Sequence, residues 1–177
     1  MKRESTGATL TSLAVAFAIS SALVALGVPA YGDMLANMRL RDEARALSLA
    51  LMLARSEAIK RNARVNVCKS PDLRRCATAG GFEAGWIIYQ DPGRTGQPDP
   101  DGSLIRVKSR AAEGVTIRGN RPVADVVSYT TWGHARTFTG ALQIGTFTVC
   151  RKGLRAVQVV LASTGRVRIE ISRDICV

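Results

Sequence analysis

The sequence has almost none of the residues from which polar active sites are built. It holds one histidine, His134, and its four cysteines form no C-x-x-C pair, which argues against a zinc site with the usual ligand spacing. It also lacks a G-x-S-x-G motif and a phosphate-binding glycine loop that ends in lysine. We therefore expect no enzymatic activity, no cofactor and no metal ion.

Charge is missing from the N-terminal part, where residues 8–32 carry no ionisable acidic or basic side chain. About 20 residues at a rise of 1.5 Å each cross the hydrocarbon core of a bilayer, so this run is long enough to span a membrane. Lys2 and Arg3 precede the run, which favours a cytoplasmic N-terminus and an outward head. Pro29 falls inside the helical pattern and predicts a bend.

A charged segment continues the same helical pattern from residue 33 to residue 63. Its apolar positions alternate in steps of four and three, which is typical of a helix that lies on a sheet. They are Leu40, Ala44, Leu47, Leu51, Ala54 and Ala58. The opposite face, including Arg55, is predicted to be mostly solvated, and Asn62 and Ala63 are expected to end the helix.

The remainder, residues 64–177, reads as one β-rich head. Short runs of β-branched and aromatic residues separated by turn residues predict an antiparallel sheet. The predicted strands cover residues 65–67, 86–89, 104–108, 115–118, 126–129, 137–139, 145–150, 156–161 and 166–171. The fold class is therefore α+β, with a long helix packed on the sheet, and residues around Trp132 and His134 are interpreted as a turn.

The segment from Asp91 to Gly102 is rich in aspartate, glycine and proline. Asp91, Asp99 and Asp101 carry the oxygen ligands that calcium prefers, but their spacing matches no EF-hand. Aspartate beside glycine or proline is also ordinary turn chemistry. We interpret the segment as a loop.

The cysteines form two couples that are close in sequence. If the preceding segment crosses a membrane, the head lies in an oxidising compartment, where disulfides persist. We predict bonds between Cys68 and Cys76 and between Cys150 and Cys176, although four cysteines allow three pairings.

Two processing outcomes compete at the N-terminus. Signal peptidase cleavage after Ala30 would release a soluble periplasmic protein that begins at Tyr31. Cleavage after Gly7 would instead retain the apolar helix. Pro29 beside the first site, and the continuity of the helical pattern across it, favour the second outcome.

Several motifs together carry a family resemblance. They are the basic leader that ends in Gly7, the following Ala8-Thr9-Leu10, Pro29, LARSEAIKRN (53–62), VNVCKSPDLRRC (65–76), GWIIYQD (85–91) and STGRVRI (163–169). With these motifs the chain resembles the GspH/FimT group of minor type IV pilins and type II secretion pseudopilins over nearly its whole length.

The resemblance implies a pilin-like fold and a structural role near the tip of a pilus or pseudopilus. Residues 1–7 would be a prepilin leader that prepilin peptidase removes between Gly7 and Ala8, with methylation of the new N-terminus. The implied partners are other minor subunits, the major subunit and the bacterial inner membrane, with the head in the periplasm.

Two positions depart from the family pattern. Ala8 stands where such proteins usually carry Phe or Met, which counts against methylation. Ser12 stands where most carry a Glu that pairs with a neighbouring subunit's amine, and a hydroxyl does not supply that ion pair. The change fits a rare or terminal place in the filament, and equally fits drift at a tolerant site.

The charge balance raises a second hypothesis, DNA binding. The chain has a formal net charge of +11, which attracts polyanions, either nucleic acid or anionic lipid. Arg166 and Arg168 alternate around Val167, so a strand places them on one face about 7 Å apart, where they would straddle successive phosphates. FimT-type members that serve natural transformation carry a similar Gly-Arg-x-Arg motif that contacts DNA, and Gly165, Arg166 and Arg168 match it. Relatives in pilus tips and secretion systems often show a comparable C-terminal strand, so the alternative is that these arginines face only solvent or a neighbouring subunit.

Overall fold

The protein is a long helix followed by two antiparallel sheets. The computed structural model describes residues 10–99 and 103–177, without the side chains of residues 26–30. Helix α1 covers Leu10–Lys60. Eight strands follow: β1 Val65–Lys69, β2 Trp86–Gln90, β3 Leu104–Lys108, β4 Val115–Gly119, β5 Val126–Tyr129, β6 Gly145–Arg151, β7 Arg155–Leu161 and β8 Val167–Ile175.

The chain divides into two units at Met38. The first unit contains α1 from Leu10 to Met38, and most of its described large apolar side chains are exposed, with Leu35 half-buried. Among the described residues, none of the helices contains a stretch apolar enough and long enough for a membrane crossing. The membrane span over residues 8–32 stays a prediction.

The second unit, Arg39–Val177, contains the buried core. All six apolar positions of the stripe predicted from the sequence are buried at 1% exposure or less. Alanine at three of them lets the helix approach the sheets closely. The helix ends as expected, because Asn62 takes a left-handed conformation at φ 47° and the Ala63 amide donates to the Ala58 carbonyl.

The strands form two four-stranded sheets rather than the single sheet that the sequence suggested. The strand order is β3-β2-β1-β5 in one sheet and β4-β6-β7-β8 in the other. The edge-to-face contact of Phe82 with Phe147, at 5.1 Å between ring centroids, joins the segment before β2 to β6. Glu83 adds a second link, because one of its carboxylate oxygens accepts from the Ile117 amide at 3.0 Å.

The strand predicted at residues 137–139 is wrong. Residues 130–144 form a loop between β5 and β6 that makes only isolated bridges. Its polar groups bond outside a strand ladder: the Arg136 carbonyl accepts from the buried Arg64 side chain at 3.2 Å, and the loop's own buried Gln143 side chain donates to the Val126 carbonyl of β5 at 2.7 Å. A propensity rule based on Thr and Phe does not detect partners so distant in sequence.

Candidate functional site

The β7–β8 hairpin carries the Gly-Arg-x-Arg segment at its turn. The Gly165 amide donates to the Ala162 carbonyl at 2.8 Å, and the Ala162 amide donates to the Arg166 carbonyl at 2.9 Å. Gly165 has φ of +80°, a backbone conformation that glycine adopts without strain. The turn therefore needs glycine immediately before Arg166.

Gly165 also has no room for a side chain. A Cβ on Gly165 would lie 2.0 Å from the Gly133 carbonyl oxygen and 3.1 Å from a ring carbon of Tyr129. Gly165 is buried where the hairpin meets the loop between β5 and β6. Packing against the Gly133 carbonyl alone therefore explains why position 165 is a glycine, without any role in binding a ligand.

Arg166 and Arg168 both line one cleft. The cleft has a volume of about 330 Å³, and Val160, Ala162 and Val167 complete its lining. Both arginines are exposed. The Nε of Arg168 donates to Glu170 at 2.5 Å, so a carboxylate next to the cleft neutralises part of its charge.

A second cleft, of about 400 Å³, borders Arg166 on the side of α1. It is lined by residues of α1 and of the hairpin, namely Met52, Arg55, Ser56, Ile59, Gly165, Arg166 and Val167. The linings of the two clefts hold three arginines and no carboxylate. This arrangement suits an anion with apolar surface.

Arg55 is held in place rather than solvated, which the sequence did not predict. Its Nε donates to the Gly133 carbonyl at 3.0 Å. Tyr129, nearby, is buried, and its hydroxyl has no hydrogen-bond partner among the described residues. Burial raises the pKa of Tyr129 well above its usual range, and the positive charge of Arg55 opposes this only in part.

Trp132 lies in the exposed turn beside these residues. The Gly133 amide donates to the Thr130 carbonyl at 2.8 Å, which closes the turn, and the Trp132 side chain is 81% exposed. The turn was predicted from the sequence. The one sequence feature that could have identified Trp132 as a candidate site residue is the presence of a large aromatic side chain in a turn.

Both disulfides have the pairing that the sequence predicted. Cys68 is bonded to Cys76, and Cys150 at the end of β6 is bonded to Cys176 just after β8. The Cys176 amide also donates to the Leu154 carbonyl at 2.9 Å. The end of β8 away from Arg166 is therefore fixed to the β6–β7 turn.

Among the described carboxylates of the aspartate loop, Asp91 is buried and Asp99 is exposed. Asp91 accepts from the Asn66 side-chain amide at 2.8 Å, from the Thr95 amide at 2.8 Å and from the Gly96 amide at 3.0 Å. Asp101 lies outside the described residues. Within residues 10–99 and 103–177, acidic, histidine and cysteine side chains form no cluster of three or more that could hold a metal ion.

The remaining predicted site residues lie in or before α1. Ser12 is exposed on α1. Pro29 falls within α1, and its side chain is not among those described. Gly7 and Ala8 lie outside the described residues, so the cleavage and methylation assignments stay predictions.

The chain matches a known protein-family model. The model for the type II transport protein GspH matches residues 43–165, which is more than half of the chain. The match covers the last third of α1 and strands β1 to β7. A search of curated protein sequences finds no significant match.

Solved structures share the fold. The type IV minor pilin FimU of Pseudomonas aeruginosa superposes with a TM-score of 0.57 at 17% identity, covering 80% of this chain and 98% of that chain. The minor pseudopilin EpsH from the type 2 secretion system of Vibrio cholerae superposes with a TM-score of 0.50 at 15% identity, covering 77% of this chain and 99% of that chain. The predicted combination of a long helix and an antiparallel head is therefore confirmed as a pilin-like fold.

Proposed function

The chain belongs to the GspH family, and from that premise we propose that it is a minor pilin or pseudopilin that takes part in assembling a type IV pilus or a type II secretion pseudopilus. It acts as a structural subunit rather than an enzyme. Its partners are other minor subunits and the major subunit of the same filament.

The observation that carries this proposal is the uncovered first part of α1. Large apolar side chains there are more than half exposed, namely Leu10, Leu13, Val15, Phe17, Ile19, Leu23 and Val24. Exposed apolar side chains all along a helix require apolar neighbours, either other helices or lipid. A subunit whose helix passes from the inner membrane into the core of a filament has both.

The proposed role also includes cleavage of a leader peptide and a place near the tip of the filament. Prepilin peptidase cleaves between Gly7 and Ala8, the head then lies in the periplasm, and residues 8–32 anchor the subunit before assembly. Position 12 carries a serine where most members of the family carry a Glu, so the chain lacks the carboxylate that would pair with a neighbouring subunit's amine. This supports a place near the tip, where one side of the subunit has no following copy.

An intact-mass measurement of the mature protein tests the processing step. We expect a chain that begins at Ala8, with a mass that also shows both disulfides and any methyl group. Gly7→Val should block cleavage and remove the subunit from filaments, whereas Ser5→Val, inside the leader, should leave both unchanged. A mature chain that begins at Tyr31 would overturn the proposal.

DNA binding is a second candidate function, and the shared cleft of Arg166 and Arg168 favours it. Two exposed guanidinium groups at one cleft whose lining holds no carboxylate offer bidentate contacts to successive phosphates. Such contacts hold DNA without reading its sequence, and their strength falls steeply with salt.

A pair of charge-reversal variants tests this function. Arg166→Glu with Arg168→Glu should abolish DNA binding measured at low salt. The matched control is Arg74→Glu with Arg75→Glu, which makes the same charge change at two exposed residues in the loop after β1. Equal losses in the two double variants would show that only net charge matters.

Glu170 supplies an independent test of the same function. Because its carboxylate holds Arg168, Glu170→Gln should free that guanidinium and strengthen DNA binding by roughly three- to tenfold. Weaker or unchanged binding would mean that Arg168 does not contact DNA.

A further inference from the structure

Trp132 is unusually exposed for its size. In the described part of Arg39–Val177, only the terminal Val177 has a more exposed large apolar side chain. Exposing a tryptophan to water has a free-energy cost that is proportional to the apolar area of the side chain in contact with water. A ligand that covers the indole would recover that free energy.

The turn that carries Trp132 is fixed against the arginine hairpin. The Gly133 carbonyl accepts from Arg55 at 3.0 Å and lies against Gly165, and the Ala135 amide donates to the Ser163 carbonyl at 3.1 Å. Following these contacts with standard backbone spacing places the Cα atoms of Trp132 and Arg166 within about 14 Å of each other. Indole and guanidinium groups at this separation can bind one extended ligand together.

The two clefts that border Arg166 combine positive charge with apolar area. Arg55 and Arg166 line the larger cleft together with Met52 and Ile59, both of which are about half exposed. Arg168 lines the adjoining cleft. A polyanion with flat apolar faces is complementary to this combination, and a neutral apolar partner is not.

We propose that Trp132 is a stacking platform for an unpaired base, so that this surface binds single-stranded DNA in preference to duplex. The proposal rests on the DNA-binding function proposed above for Arg166 and Arg168. In a duplex, both faces of each base are covered by its neighbours in the stack, and only an unpaired base has a face to place on the indole. The arginines hold the phosphates of the same strand.

Fluorescence titrations of the full chain in mild detergent test the proposal. The probes are a labelled oligothymidine and a labelled duplex of equal strand length, and anisotropy gives the affinity for each. Trp132→Ala should weaken oligothymidine binding by roughly 5- to 150-fold, the range for loss of one base–aromatic stack, and leave duplex binding unchanged. Trp132→Phe keeps an aromatic face and should retain most of the affinity.

The protein's own fluorescence gives a second readout. Of the two tryptophans, Trp86 is buried and Trp132 is exposed. Oligothymidine should therefore quench the exposed fraction of the emission, and this quenching should disappear in Trp132→Ala. Because Trp132 lies in an exposed turn, the thermal unfolding of Trp132→Ala should match that of the unmodified protein.

The outcomes separate this inference from the function on which it rests. If both probes bind equally and Trp132→Ala changes neither, the arginines bind DNA and the stacking proposal is overturned. If neither probe binds, both proposals fail. If Trp132→Ala impairs only incorporation into filaments, the surface is a contact between subunits and the stacking proposal fails.

Discussion

Gly165 has two separate reasons to be glycine, and substitution can distinguish them. Its φ of +80° is unfavourable for any residue with a side chain, and a Cβ would overlap the Gly133 carbonyl. We predict that Gly165→Ala lowers the free energy of unfolding by about 3 kcal/mol, because backbone strain and a steric overlap add. Chemical denaturation measures this.

Gly153 is the matched control for that prediction. It has φ of +82°, but a Cβ there would meet nothing within 4 Å. Gly153→Ala should therefore cost only the strain, about 1 kcal/mol. Equal costs at the two positions would mean that the hairpin and the loop between β5 and β6 move apart easily.

Tyr129 gives a prediction for both stability and pH dependence. Its buried hydroxyl has no partner among the described residues, so Tyr129→Phe should raise the free energy of unfolding by about 1 kcal/mol at neutral pH. Burial raises the pKa of Tyr129 above its usual value of 10.0, so the unfolded state ionises first and the fold loses stability as the pH rises above that value.

Tyr129→Phe should therefore also reduce the loss of stability above about pH 10. Denaturant titrations at neutral and alkaline pH measure both effects, and the exposed Tyr31, changed to Phe, is the control. A destabilised Tyr129→Phe would show that the hydroxyl makes a hydrogen bond in solution.

The residues of the candidate site differ in how well the sequence predicts them. Arg166 and Arg168 follow from the two-residue period of a strand, which needs only local information. Arg55 does not, because its helical position resembles those of its solvated neighbours and its partner, Gly133, is 78 positions away. Local periodicity predicts which face a side chain is on and does not predict what meets that face.

At the scale of elements, β8 depends on its covalent attachment. The strand is at the edge of its sheet and most of its side chains are exposed, so little burial holds it. The bond between Cys150 and Cys176 fixes its far end. Loss of this bond should therefore affect β8 more than the rest of the head.

We predict that Cys150→Ser with Cys176→Ser costs about 3 kcal/mol and increases hydrogen exchange in β8 before other strands. The bond between Cys68 and Cys76 closes a shorter loop, so replacing these two cysteines by serine should cost less free energy of unfolding. Hydrogen exchange in β8 should then be as slow as in the unmodified protein. Uniform exchange across the head in the first variant would contradict the local role of this bond.

Element types were largely predictable, and their arrangement was not. Eight of the nine predicted strands exist, because β-branched runs between turn residues are a local signal. The division into two sheets depends on pairs such as β1 with β5, which join residues far apart in sequence. Nothing in a single strand's composition specifies such a partner.

At the scale of the whole molecule, the second unit contains the buried core that stabilises the fold, and the first unit presents apolar surface for assembly. The buried core begins at Leu40 and lies entirely within Arg39–Val177 among the described residues. The first part of α1 contributes exposed apolar side chains instead. Stability of the head and incorporation into a filament should therefore be separable by substitution.

Phe17→Asp tests this separation. Phe17 is exposed in the first part of α1, and a carboxylate there would have to be buried, unpaired, in an apolar helix bundle or bilayer, at a cost of several kcal/mol. We predict that the variant is absent from purified filaments while thermal unfolding of its head is unchanged. Phe17→Leu, which keeps the apolar surface, should assemble normally. Normal incorporation of Phe17→Asp would mean that this segment is not covered in the assembled fibre, and the assembly proposal would lose the observation that carries it.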